Sequence, residues 1–157
     1  TGHTAKSEFQ AVVLRDCAHE AISLLSLQKD KQQVIFINDI AQNAIVAGDT
    51  QRMIQVFINL LSNARDASPE NGNVLLASHE DEYSIDITVT DEGSGIPPEI
   101  QDRILEPFFT TKEPGEGTGL GLAVVKAVAR AHHGNFSLQS TQGQGTCASV
   151  FMPFAAI

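Results

Sequence analysis

The spacing of apolar and polar positions predicts the elements of this chain. Phe9 to Leu27 sets Val12, Val13, Leu14, Ile22, Leu24, Leu25 and Leu27 among polar residues without a Gly or Pro, which predicts a helix. Gln33 to Asn38 is short, β-branched and aromatic, and predicts a strand with an exit loop reaching Gly48-Asp49. A second helix starts at Asp49 or Thr50. On its wheel Ile54, Phe57, Ile58, Leu61 and Ala64 form a core side, while Arg52, Gln55, Asn59, Ser62, Asn63 and Asp66 form a polar side. Pro69-Glu70-Asn71-Gly72 ends it, and Val74 to Ala77 resumes as a strand leading to a turn at His79 to Glu82. Tyr83, Ile85, Ile87 and Val89 then alternate with Ser84, Asp86, Thr88 and Thr90, the period of a strand with one buried face.

From Asp91 to Gly121 the chain is punctuated by Gly93, Gly95, Gly115, Gly117 and Gly119 and by Pro97, Pro98, Pro107 and Pro114, a long loop of the kind that usually carries function. Helical periodicity returns from Leu120 to His133 and stops at Gly134. Strands over Phe136 to Ser140 and Thr146 to Pro153, joined by Gln142 to Gly145, close the chain. The order α-β-α-β-β-loop-α-β-β predicts an α+β fold, a two-layer sandwich with helices on one face of a mixed or antiparallel sheet. One domain over residues 1–157, with its core at about 9–153, is expected.

Composition narrows the function. A net charge of −9 opposes non-specific binding to nucleic acid or anionic membrane. No apolar run reaches the roughly 18 residues of a membrane span, and Thr1 to Thr4 lacks a signal peptide's regions, so a cytoplasmic chain without direct membrane contact is expected. Cys17 and Cys147 lack the spacing of a zinc or redox pair and are expected as reduced, buried thiols.

Three stretches carry chemistry. Gly115 to Leu122 puts alternate glycines directly before a helix, where exposed amides and the helix dipole favour an anion, yet it has neither the Lys of a Walker loop nor the spacing of a dinucleotide turn. Asp91, at the end of the clearest strand, is an acceptor suited to an exocyclic amino group, with Gly93 and Gly95 leaving room for a ring. Asn59 and Asn63, four apart on the polar face of the second helix, offer neutral carbonyl oxygens that can complete a Mg²⁺ shell neutralised by phosphates. Each alone is weak: a flexible turn, an acidic turn and a solvated helix face are the commoner explanations.

Together, Asn59 to Ala67, Asp91 to Pro97, Glu106 to Lys112 and Gly117 to Leu122 resemble, in order, the N box, first glycine box, F box and second glycine box of the ATP-binding domain of two-component sensor histidine kinases. Gly145-Thr146 resembles the family's last glycine motif, so the likeness runs from about Phe9 to Pro153. It implies the Bergerat fold shared with gyrase, the heat-shock chaperone ATPase and mismatch-repair ATPases. It further implies that Asn63 coordinates Mg²⁺ with Asn59 nearby, and that Asp91 bonds the adenine amino group directly and through a water shared with Thr146. Ile96 would line the adenine slot. Phe108 to Glu116, with Phe109, Thr110 and Thr111, would form the ATP lid. Lys112 would approach the γ-phosphate, and the amides of Gly117, Thr118, Gly119, Leu120, Gly121 and Leu122 would hold the phosphates.

Two departures qualify the likeness. Gyrase-like ATPases carry a Glu general base where this chain has Asn59, which takes no proton at neutral pH, so efficient hydrolysis is not expected. Many sensor kinases have a Lys where this chain has Asp66, and Arg65 or Lys112 would have to compensate. His19-Glu20 mimics the acceptor His-acid pair but lacks its following pattern and lies 59 − 19 = 40 residues before the N box, so His19 is read as an ordinary helix residue. His132 and His133 are read as helix-end residues and His79 as part of a turn. Lys126 and Arg130 are read as a solvated face. The implied activity is transfer of the γ-phosphoryl group of Mg-ATP to a His on a separate dimerisation domain of the same protein, with a response regulator downstream and this fragment monomeric. A nucleotide-binding interaction module without efficient turnover and a gyrase-like ATPase are the alternatives.

Overall fold

The computed structural model describes residues 10–101, 103 and 121–154. In chain order these form β1 (Gln10–Val13), α1 (Leu14–Ser26), β2 (Ile35–Asp39), β3 (Ile45–Gly48), α2 (Thr50–Ala67), β4 (Asn73–Glu80), β5 (Ser84–Asp91), a 3₁₀ turn (Pro98–Ile100), α3 (Gly121–Ala131), β6 (Asn135–Thr141) and β7 (Gly145–Pro153).

Five strands make one sheet in the order β2-β4-β5-β7-β6, with β2 and β4 parallel and the other neighbours antiparallel. The parallel pair requires a crossover, which α2 supplies between β2 and β4. Helix α2 packs against both α1 and α3, and it lies against β5. Val74, Leu76, Ile85, Ile87, Val89, Ala148, Val150 and Met152 form the covered side of the sheet, buried with Cys17, Ala21, Phe57, Leu61, Val125 and Val128 of the helices. Ile35, Ile37, Leu75 and Phe151 face the other way and are exposed. The expected two-layer sandwich with a mixed, mostly antiparallel sheet is therefore what forms.

Local chemistry sets the ends of α2. Asp49 is its N-cap, its Oδ1 accepting from the Arg52 amide at 3.1 Å, and Ser68 donates its hydroxyl to the Ala64 carbonyl at 2.7 Å just before Pro69 stops the chain. The start of α2 is also tied to the end of α3. His132, 5% exposed, accepts the Asp49 amide on Nε2 at 3.1 Å, and its Nδ1 lies 2.8 Å from the Val128 carbonyl, so the proton sits on Nδ1.

Several expectations are corrected. Gln10–Val13 is a strand, not the first turn of a helix: it pairs antiparallel with Ile45–Gly48, a strand in place of the expected exit loop. Val12 and Val46 are each 1% exposed, so this pairing of distant segments buries side chains that a local helix would have left half covered. The core face of α2 is broader than expected: Met53, Val56 and Leu60 are buried with Phe57, Leu61 and Ala64, and Ile54 and Ile58 pack half-buried at its edge, because α1 and α3 flank α2 and widen its covered side. His79 lies in β4, which continues to Glu80, and the turn is set by Asp81, whose Oδ1 accepts from the Tyr83 and Ser84 amides. Tyr83 falls in that turn and is 77% exposed. Both cysteines are free as expected, but Cys147 is only half-buried.

Candidate functional site

The C-terminal end of β5 holds Asp91, 7% exposed. Its Oδ1 accepts the Gly93 amide at 2.8 Å and the Thr146 amide of β7 at 3.3 Å, so among the described residues both bonds end on one oxygen and the other is left for a further donor. Burial raises the carboxyl pKa above the ordinary value, and the two amides partly offset it. A network on the neighbouring strands holds this group in place. The Ser140 hydroxyl accepts the Ile96 amide at 2.7 Å and lies 2.9 Å from the Thr146 hydroxyl, while Gln101 donates to the Ile96 carbonyl at 2.8 Å. Ile96 and Thr146 are thus brought beside Asp91, with the Thr146 hydroxyl turned toward Ser140.

Gly93 and Gly95 serve close backbone packing as well as room for a ring. A Cβ on Gly93 would sit 2.3 Å from the Ala67 carbonyl oxygen, and Gly95, at φ +74, would meet the Thr141 carbonyl at 2.3 Å. The first contact seats the loop after β5 on the last turn of α2, where the Ser94 amide also donates to Ala67 O at 3.3 Å. That seating carries Asn63, one turn earlier on α2, toward the Asp91 end of the sheet. An open hollow of about 530 Å³ lies at the strand ends, lined by Asp91, Ser140 and Thr146 and, from the other face, by Thr90, Gln139 and Cys147.

The two asparagines meet the start of α3. Asn59 Nδ2 donates to the Gly121 carbonyl at 3.2 Å, and a Cβ on Gly121 would lie 3.8 Å from Asn63 Nδ2. The helix N-terminus expected to hold anion is therefore set against the helix face expected to hold metal. Leu122 follows in the first turn of α3 and is half-buried. Phe109, Thr110, Thr111, Lys112, Gly117, Thr118, Gly119 and Leu120 lie outside the described residues. Among the described residues no three His, Cys, Asp or Glu side chains cluster as a metal cage. A neutral amide donor set suits a hard cation that brings phosphate oxygens with it, which is how Mg²⁺ is commonly held.

Arg65 does not take the phosphate role considered for it. It is 4% exposed, on the core side of α2, with Nη1 bonded to Gln28 Oε1 at 2.8 Å and Nε 3.4 Å from Asp66 Oδ1. Sequence reading missed Ser140, Gln101 and Gln55. Only Gln55 carried a signal, being four residues before Asn59 on the same face of α2.

The arrangement thus offers a buried acceptor at the end of β5 and, against the polar face of α2, a helix start, chemistry that suits an amino-bearing ring and a polyanion respectively. The family described as "Histidine kinase-, DNA gyrase B-, and HSP90-like ATPase" matches residues 48–156. Sporulation kinase A of Bacillus subtilis (strain 168) is 38% identical over 141 residues, 89% of this chain and 23% of that protein. The sensor histidine kinase ZraS of Escherichia coli (strain K12) is 33% identical over 92% of this chain and 31% of its own length. The chain thus spans less than a third of these curated relatives. The catalytic domain of histidine kinase ThkA superposes with a TM-score of 0.81 at 28% identity, covering 95% of this chain and 99% of that one. The chain belongs to the histidine kinase-, DNA gyrase B- and HSP90-like ATPase family and has the architecture of the catalytic domain of sensor histidine kinases.

Proposed function

We propose that the chain binds Mg-ATP and donates the γ-phosphoryl group to a histidine nitrogen on a dimerisation domain of the same protein, from which a response regulator is served. The carrying observation is that α2 is tied at both points: the Ser94 amide seats the loop after Asp91 on the Ala67 carbonyl, and Asn59, one turn from Asn63 on the same helix, bonds the Gly121 carbonyl at the start of α3. Asp91, already holding two amides on Oδ1, offers its second oxygen to the adenine amino group. Ile96 packs on the ring, and the first-turn amides of α3 meet the phosphates. Asn63 would hold Mg²⁺ through its amide oxygen, and the metal when bound supplies charge neutralisation on the phosphates. Lys112 and the amides of Gly117 to Leu120, outside the described residues, would supply the further phosphate contacts that the family resemblance implies. Asn59 is no general base, so the chain relies on positioning and electrostatics and leaves proton removal to the acceptor domain. No helix among the described residues is long and apolar enough to cross a membrane.

The test is incubation of the chain with γ-labelled ATP and the separately produced dimerisation domain of its full-length protein, with Mg²⁺ or with EDTA. Acid-labile label on the acceptor domain, present only with Mg²⁺, is the expected result. Label released as free phosphate with none on the acceptor would overturn the kinase reading in favour of an ATPase.

A further inference from the structure

Gln55 and Asn59 lie one helical turn apart on α2. Gln55 Nε2 donates to Asn59 Oδ1 at 2.9 Å, and Asn59 Nδ2 donates to the carbonyl of Gly121 at 3.2 Å. The second bond fixes the Asn59 amide, because turning it over would set its oxygen against the Gly121 oxygen, two acceptors face to face. With the amide so fixed, its oxygen points at Gln55, which can serve it only as a donor. Gly121 opens α3, whose first turn is the anion-facing end of the site. A continuous line of donors therefore runs from Gln55 through Asn59 to that turn, and the Asn59 oxygen is already engaged.

We infer that Gln55 is a positioning residue of the nucleotide site and that the two asparagines divide the work. Asn59, oriented by Gln55, holds the first turn of α3 in register with α2, while the metal-facing oxygen comes from Asn63. This rests on the Mg-ATP reading above. For Asn59 to turn its oxygen to a metal it must give up Gln55, and the amide that rotates takes Nδ2 off Gly121 as well. An Asp at position 59 separates the two roles: a carboxylate is the better ligand for a hard cation but has no N–H for a carbonyl. Gln55 is exposed on a helix, and Ala there favours the helix, so Gln55→Ala keeps the fold.

The experiment uses Gln55→Ala, Asn59→Asp and Asn63→Ala with two readouts. The first is amide hydrogen exchange over residues 121–128 without nucleotide. Loss of one hydrogen bond is expected to speed it roughly 3- to 10-fold in Gln55→Ala and Asn59→Asp and to leave it unchanged in Asn63→Ala. The second is calorimetric affinity for a non-hydrolysable ATP analogue, with Mg²⁺ and with EDTA. Gln55→Ala and Asn59→Asp should weaken both arms by a similar factor of roughly 3 to 10, whereas Asn63→Ala should weaken the Mg²⁺ arm alone. Wild-type exchange in Gln55→Ala, or an effect of that variant confined to the Mg²⁺ arm, overturns the inference. So does Asn59→Asp that binds the Mg²⁺ complex as tightly as wild type. Wild type that binds no analogue defeats the Mg-ATP reading instead, and the exchange readout still decides whether Gln55 and Asn59 hold α3.

Discussion

Replacing Asp91 by Asn separates binding from folding at the best-defined group of the site. The Asn side chain keeps an oxygen that can accept the Gly93 and Thr146 amides, now held at 2.8 and 3.3 Å. It puts an NH₂ where, on the reading above, the second carboxylate oxygen would meet the adenine amino group, so an acceptor facing a donor becomes two donors. The lost bond to a charged acceptor is worth about 1.5–3 kcal/mol, and leaving the partner unpaired costs about 1–3 kcal/mol more. At about 1.4 kcal/mol per tenfold, the expected loss of ATP affinity is roughly 10²- to 10⁴-fold. Stability should move the other way. Burial raises the folded pKa of Asp91, so its charged form costs stability at neutral pH, and the neutral Asn removes that cost. The assay is calorimetry with a non-hydrolysable ATP analogue beside thermal unfolding of both proteins. Because the six-position of guanine carries an acceptor oxygen, the variant should also narrow the preference for ATP over GTP. An unchanged ATP affinity, or a drop in Tm accompanying its loss, would refute the reasoning.

The same carboxyl predicts a pH dependence: ATP affinity should be level above the folded pKa and fall as Asp91 protonates, beginning above the ordinary carboxylate value of about 3.9, and titrating the affinity downward from pH 7 checks it. Gly145 has φ +120 and a Cβ there would sit 2.2 Å from the Asp91 carbonyl oxygen, whereas Gly143, at φ +85, has nothing within 4 Å. Gly145→Ala should therefore cost at least about 2 kcal/mol in urea unfolding and disturb Asp91, while Gly143→Ala costs about 1 kcal/mol and leaves binding intact. Phe57, 1% exposed where α2 meets the sheet, should lose about 3–5 kcal/mol on change to Ala, read from the urea midpoint at constant m-value.

The elements with strong local signals were legible in the sequence. The apolar stripe of α2, the alternation in β5 and the glycine-punctuated stretch after Asp91 each announce themselves over a few residues, because helix and strand periods and turn chemistry are local properties. Asp91, Asn59 and Asn63 were legible for the same reason, as chemistry standing at the end or on the polar face of such elements. What the residues near in sequence could not determine was decided by partners far along the chain. The β1–β3 ribbon depends on Val12 meeting Val46, and the full width of α2's core side depends on α1 and α3 flanking it. The removal of Arg65 to the core, the bond of Thr146 to Asp91 and the relay from Gln55 through Asn59 to Gly121 likewise join residues distant in sequence. The sequence by itself determined the elements whose period is local and which groups could bind. Only the tertiary structure decided which of those groups remain available, since hydrogen-bond donors and acceptors that look alike along the chain are sorted by what they meet when it closes.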